Sequence, residues 1–264
     1  MTWTLRTHRV PSDILREVRL VRVLMPDEPR AVLFLNDGQN LFTKTRTVGS
    51  LERWRAEEAA GLVPGLAIVG IDNAGRHRGR DYLPYPNPGD PLGRRPQGDR
   101  YVAFVVDELL AWTARRYPQL ARPRHVGIGG SSYGAVSALH AALSRPGIFD
   151  RLLLESPSLF IGGRRLLSDV RSSATLPGRI HLAIGTAESR DPATSARVLA
   201  DALELSAILR AKGLGARRLH LHVVAGGRHR EGDWAGRLPG ALRSLFGEGP
   251  RSPSTLRPPR GSAR

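Results

Sequence analysis

His125-Val126-Gly127-Ile128-Gly129-Gly130-Ser131-Ser132-Tyr133-Gly134-Ala135 is the stretch from which the rest of the chain can be read. A short β-branched run ends in glycines. A serine stands at the centre of Gly130-x-Ser132-x-Gly134, and a run of small residues starts at Ala135. Strand, sharp turn with a serine at its tip, then helix is the context that makes a G-x-S-x-G match a nucleophile elbow. Such a turn is strained, and side chains at Gly130 and Gly134 would collide with the neighbouring strand and helix. A Gly/Ser-rich turn without chemistry has the same composition. The other parts of a hydrolytic site must therefore be found elsewhere in the chain.

Around the elbow the hydrophobic pattern alternates between strand and helix. Residues 2–10 and Leu15–Met25 alternate in polarity and read as two antiparallel leading strands. Ala31–Leu35 and Leu66–Ile71 are continuous apolar runs, as expected of strands buried on both faces, with a helix predicted over 51–60 between them. Asp99 is expected to cap a helix running to about Tyr117, with Val102, Val105, Val106, Leu109 and Leu110 as its core stripe. The helix after Ser132 should end near Arg145, before Pro146-Gly147. Further strands are predicted at 151–155, 180–185 and 219–224. A helix is expected from Pro192 to about Lys212, and a last one capped by Asp233 with Leu238, Ala241, Leu242, Leu245 and Phe246 on one face. Residues 159–178 read as irregular. Residues 72–98, rich in Gly and Pro, read as a substrate-binding flap, with a disordered insertion as the alternative.

The fold class expected is α/β. It would have a mainly parallel sheet of about eight strands, helices on both faces, and functional loops at the carboxyl ends of the strands. Residues 1–247 read as one domain and 248–264 as a disordered basic tail.

Composition narrows the function classes. The 264 residues carry a net charge of +16 and no cysteine, which excludes disulfides and thiolate metal sites. Lys44 and Lys212 are the only lysines, and the arginines are scattered rather than gathered in a stripe. With no zinc-finger spacing and no basic heptads, nucleic acid is not the expected partner. A positive surface suits an anionic small-molecule substrate instead. The first residues lack the apolar core of a signal peptide, and no run approaches the roughly 18 apolar residues of a membrane span. A cytoplasmic protein without a membrane partner is expected.

A serine hydroxyl needs a base to take its proton and an acid to orient that base. His229 follows the last strand in a Gly-Gly loop and is the expected base. Three carboxylates are candidates for the acid. Glu188 lies in the loop three residues past Gly185. Asp191 precedes Pro192 and already suits a helix N-cap. Glu155 ends a strand. Glu188 is the first choice and the other two are runners-up. The oxyanion should be held by the backbone N–H of Tyr133 and that of Gln39 in the loop after the third strand. His220 and His222 read as strand residues rather than a metal pair, and no cofactor or metal is expected. The chain order Ser132, Glu188, His229 is that of α/β-hydrolases.

At this point the chain resembles a family. Leu33-Phe34-Leu35-Asn36-Asp37-Gly38-Gln39-Asn40-Leu41-Phe42 is similar to an "L-x-D-G-Q-N-x-F" segment. Gly70-Ile71-Asp72-Asn73 with Arg80-Asp81-Tyr82-Leu83-Pro84 is similar to "G-I-D-N…R-x-x-E-Y-x-P", with Asp81 near the family's usual glutamate. The elbow resembles "G-x-S-x-G-G/A", and Gly226-Gly227-Arg228-His229 with Trp234 resembles "G-G-x-H…W". These motifs belong to the esterase family that includes enterochelin esterases, esterase D, feruloyl esterases and the antigen 85 mycolyltransferases, and the likeness runs from about residue 15 to 247. It implies an α/β-hydrolase fold, carboxylic-ester hydrolysis without a cofactor, and an acid in a "G-x-x-D/E" loop, matched by Gly185-Thr186-Ala187-Glu188. Asp37, Gly38, Asn40 and Trp234 of these motifs, with Tyr82 and Tyr85 of the flap, are the expected substrate-binding residues. Two other classes stay open: an acyltransferase using the same residues, and a non-catalytic binding protein on a hydrolase scaffold.

Overall fold

The computed structural model describes residues 2–42, 55–89 and 93–247. The first part of the helix predicted at 51–60 and the tail at 248–264 lie outside the described residues.

The strands are β1 (Trp3–Ser12), β2 (Glu17–Pro26), β3 (Ala31–Asn36), β4 (Leu66–Ile71), β5 (His125–Ser131), β6 (Arg151–Glu155), β7 (Arg179–Gly185) and β8 (Leu219–Val224). They form one sheet in the order β1-β2-β4-β3-β5-β6-β7-β8. β1 and β2 pair antiparallel, β2 joins β4 antiparallel, and every later pairing is parallel. β3 and β4 are buried at every position. Their side chains split between two cores. Val32, Phe34, Val69 and Ile71 face one side, and Leu33, Leu35, Leu66 and Ile68 face the other. That division is why these strands read as unbroken apolar runs rather than alternating ones.

The helices are α1 (Ala56–Ala60), α2 (Arg78–Tyr82), α3 (Gly98–Ala103), α4 (Leu110–Arg116), α5 (Tyr133–Ser144), α6 (Arg165–Ser172), α7 (Pro192–Ala211) and α8 (Glu231–Phe246). α1 and α8 cover one core, while α3 to α7 cover the other. α5 lies against the sheet because Ala135, Ser137, Ala138, Ala141 and Ala142 are small and buried.

Four expectations are corrected. Asp99 is not an N-cap: it lies inside the first turn of α3, and its Oδ1 sits 2.7 Å from Nε2 of His140 on α5. The helix expected to run on to Tyr117 is broken by a π-helical stretch, Phe104–Leu109. The extra residue per turn rotates the stripe, so Val102, Val105 and Leu109 are buried with Phe104, while Val106 and Leu110 are only half-buried. Asp233 does not cap α8 either. It sits within the first turn and pairs with Arg230. Finally, the region 159–178 holds α6, which buries Leu166, Leu167 and Val170. A segment of eight residues after Gly162-Gly163 is too short to show a helical period.

The chain moves from β3 to β4 on one side and then crosses back to place β5 on the other side of β3. The order of strands reverses between β3 and β5. This is the switch point at which open α/β sheets leave a crevice beyond their carboxyl ends.

Candidate functional site

Ser132 stands at that switch point, between the end of β5 and the start of α5. Its backbone is at φ 56°, ψ −122°, a conformation that a non-glycine residue adopts only under constraint. Three features hold it. The Ser132 N–H donates to the Glu155 carbonyl at 2.9 Å, and α5 starts immediately after it, with the Val136 N–H donating to the Ser132 carbonyl at 3.2 Å. Gly130 makes the turn possible, since a Cβ there would lie 2.8 Å from the Gly134 carbonyl carbon.

The loop after β3 meets the elbow from the side. Asp37 lies in the left-handed region at φ 61°, and Gly38–Asn40 form a short 3-10 turn carrying Gln39. The Asn36 amide donates to the Gly134 carbonyl at 2.8 Å, and the Tyr101 hydroxyl donates to Asn36 Oδ1 at 2.7 Å. Arg78 ties the two loops together. It grips the Asp37 carboxylate with two bonds of 2.8 Å and reaches the Ser131 carbonyl at 3.2 Å. Burial alone would lower the Arg78 pKa, but the Asp37 carboxylate overrides it and the net shift is upward. Gln39 and Tyr133, the expected oxyanion donors, thus belong to two loops fastened to each other.

Glu188 and His229, the expected acid and base, come together from the loops after β7 and β8. Gly185 permits this. A Cβ at Gly185 would sit 2.1 Å from the Gly227 carbonyl oxygen, so only glycine lets the two loops touch. The Thr186 N–H donates to the Val224 carbonyl at 3.0 Å and the Ala187 N–H to the Gly227 carbonyl at 2.9 Å. Across this contact His229 Nδ1 lies 2.7 Å from Glu188 Oε2. A carboxylate only accepts, so Nδ1 carries a proton, and in the neutral ring Nε2 then presents its lone pair. Burial pushes the Glu188 pKa up, but hydrogen bonds from His229, Ser156 and the Gly185 N–H outweigh it and hold it below the ordinary value. The His229 side chain keeps 33% of its surface exposed, and its ring meets the edge of Trp234 at 5.0 Å between centroids.

The runner-up acids are elsewhere. Asp191 caps α7, accepting from the Ala193 and Thr194 N–H groups. Glu155 is fully buried with Oε2 2.8 Å from Arg237 Nε. Burial raises the Glu155 pKa to about 7; Arg237 opposes this and Glu188 adds to it.

Several of the expected substrate contacts have partners within the framework. Tyr82 is fully buried and its hydroxyl accepts the Asp37 N–H at 3.1 Å, so the first half of the supposed flap is scaffold. Asp37 is buried beneath Arg78 and Asn73, and Gly38 is buried beside it. The Asn40 amide donates to Glu231 Oε1 at 2.9 Å. The Trp234 indole donates to Ser156 Oγ at 3.0 Å. Tyr85 is half-buried under the Arg165 guanidinium, 4.6 Å from its ring centroid. Beyond it, the Asn87 amide donates to the Tyr133 hydroxyl at 2.9 Å, which brings the second half of this loop to the elbow.

Two serines escaped sequence reasoning. Ser156 Oγ donates to Glu188 Oε1 at 2.7 Å and accepts from Trp234 Nε1 and, at 3.1 Å, from Arg237 Nη2. Ser158 Oγ lies 3.3 Å from Ser132 Oγ. Among the described residues this is the side-chain hydrogen bond of Ser132, which is not bonded to His229. The Ser-Pro-Ser turn is visible in sequence only as the end of a strand.

The sequence pattern of the family described as "Putative esterase" matches residues 12–245. The chain belongs to this esterase family. It is 28% identical over 148 residues to the siderophore triacetylfusarinine C esterase of Aspergillus fumigatus, covering 54% of this chain and 49% of that one. It is 31% identical over 170 residues to the iron(III) enterobactin esterase of Dickeya dadantii, covering 63% and 35%. The matches thus span half or less of these relatives' lengths. In fold it is similar to the siderophore hydrolase EstB of Aspergillus nidulans, with a TM-score of 0.69 and 20% identity over 92% of this chain and 94% of that one. The expected α/β-hydrolase fold is the one observed. No helix among the described residues is long and apolar enough to cross a membrane, and no group of three His, Cys, Asp or Glu side chains among them is arranged to hold a metal ion.

Proposed function

We propose that this chain hydrolyses carboxylic esters through an acyl-enzyme on Ser132. The observation that carries the reading is the Glu188–His229 hydrogen bond, at the sheet edge that also holds the strained Ser132. In this mechanism Ser132 Oγ turns from Ser158 to Nε2 of His229 when the ester binds. His229 takes the serine proton as Oγ attacks the ester carbonyl. The backbone N–H groups of Tyr133 and Gln39 hold the oxyanion, and the Glu188 carboxylate stabilises the imidazolium. His229 gives its proton to the departing alkoxide and leaves an acyl group on Ser132. Water then attacks the acyl carbonyl as His229 takes its proton, and His229 returns that proton to Ser132 Oγ as the carboxylic acid leaves. No cofactor takes part.

For the substrate, the relatives named as siderophore esterases and the net charge of +16 favour an anionic ester of that class. The test is p-nitrophenyl ester turnover over an acyl-length series, alongside fluorophosphonate labelling. Ser132→Ala should abolish both. Glu188→Ala should lower kcat by about 10³–10⁴ with little change in KM. Wild-type protein that neither turns over an ester nor takes the label would overturn the reading and leave a binding protein on a hydrolase scaffold.

A further inference from the structure

The opposite edge of the sheet carries a groove of about 1250 Å³ lined by Arg30, Arg124, Arg151, Arg179 and Arg243. It is remote from the site above. Ser132 and Glu188 follow the carboxyl ends of β5 and β7, whereas Arg124 and Arg179 stand at the amino ends of the same strands.

The five guanidinium groups differ in their commitments. Arg151 is held by the fold: Nε donates to the Leu245 carbonyl at 2.7 Å, Nη1 to Asp150 Oδ2 at 2.8 Å, and Nη2 to His125 Nε2 at 3.0 Å. Arg179 uses Nη1 on the Ser244 carbonyl at 3.2 Å and the Leu245 carbonyl at 3.5 Å, and the other arm of its fork makes no hydrogen bond with the described residues. Arg30 has its nearest carboxylate, Glu28, at 3.9 Å, and both are exposed. The side chains of Arg124 and Arg243 make no hydrogen bond or ion pair with the described residues.

Asp27 and Glu28 are the acidic residues of the lining, and Asp27 already accepts the Thr2 N–H at 3.1 Å. Positive charge therefore exceeds negative in the groove. The Arg151 pKa reflects this. Burial lowers it, Asp150 opposes, and Arg179 and Arg124 lower it further. A like-charged concave surface destabilises itself unless an anion neutralises it. A guanidinium fork pairs with two phosphate oxygens at once. The volume is that of a pocket for a whole small molecule rather than for one inorganic ion.

We propose that this groove binds a small molecule carrying two or more phosphates, with Arg124, Arg179 and Arg243 as direct ligands. The inference does not depend on the esterase reading. The test is calorimetric titration of the full 264-residue chain with pyrophosphate and with ATP, at constant ionic strength. Saturable binding is expected, weakened at least tenfold in Arg124→Gln/Arg243→Gln. It should persist in Arg210→Gln/Arg217→Gln, which removes the same charge from exposed positions outside the groove. Thermal melts should be the same in wild type and both double variants, which shows that all three are folded. No saturable binding, an equal response to sulfate at the same ionic strength, or equal weakening by the two double variants would each overturn the proposal. So would binding seen only with RNA or heparin and falling steeply with salt, the mark of a diffuse polyelectrolyte surface.

Discussion

At the scale of single residues the site depends on side chains with more than one duty. Ser156 serves three partners, Glu188, Trp234 and Arg237, each of them buried at that contact. Ser156→Ala leaves those groups without their hydroxyl, and an unsatisfied buried polar group costs about 1–3 kcal/mol. We expect a loss of about 2–3 kcal/mol in urea denaturation. A fall in kcat should accompany it, because Glu188 loses one of its supports; unchanged stability would show that water replaces the hydroxyl. Nothing in the sequence marks Ser156, since its partners are 32 to 81 residues away. Ser132, Glu188 and His229 are different. Each sits in a local pattern of glycines after an apolar run, and such patterns are visible without the fold. The same locality misled the reading of Asp37 and Tyr82, which stand in the right motifs but face inward onto Arg78 and onto each other.

Among the elements, two loops must touch for Glu188 to reach His229, and Gly185 is where they touch. Gly185→Ala places a Cβ against the Gly227 backbone, where nothing flexible can give way. Destabilisation of about 2–3 kcal/mol is expected, with loss of ester turnover as the loops separate. Gly236 in α8 is the control, because a Cβ there meets nothing within 4 Å. Gly236→Ala should be neutral or stabilise by up to about 1 kcal/mol. Thermal melts of the two variants measure the contrast. Elements were legible where burial is uniform or strictly periodic, as in β3, β4 and α5. They were not legible where a helix is short, as in α6, or where its period changes, as over Phe104–Leu109. Capping by Asp99 failed as an expectation for another reason: His140, on a different helix, claims the carboxylate.

For the whole molecule, the buried carboxylates make stability depend on pH in two separate windows. The folded pKa of Glu155 is raised to about 7 from 4.5. Its contribution is therefore full below about pH 4.5 and is lost as the pH rises through about 7. Glu188 has the opposite sign. Its pKa is lowered on folding, so its contribution is present above the ordinary glutamate range and is lost as the pH falls below it. Urea denaturation between pH 5 and 8 should show stability declining in wild type. Glu155→Gln should flatten that decline whatever its effect on the absolute value, and an unchanged slope would assign the decline to other groups.

The amino-acid sequence by itself determined that strands and helices alternate, that the sheet is mostly parallel, and that Ser132, Glu188 and His229 follow strand ends. Hydrophobic period, glycine and proline placement are local properties, and they are enough for this. Only the tertiary structure decided which carboxylate meets His229, that Asp37 and Tyr82 are framework, that Ser156 and Ser158 support the site, and that arginines from distant segments share one groove. Each of these is a pairing across the fold. It is set by which strands lie side by side and by which buried polar groups must find partners there.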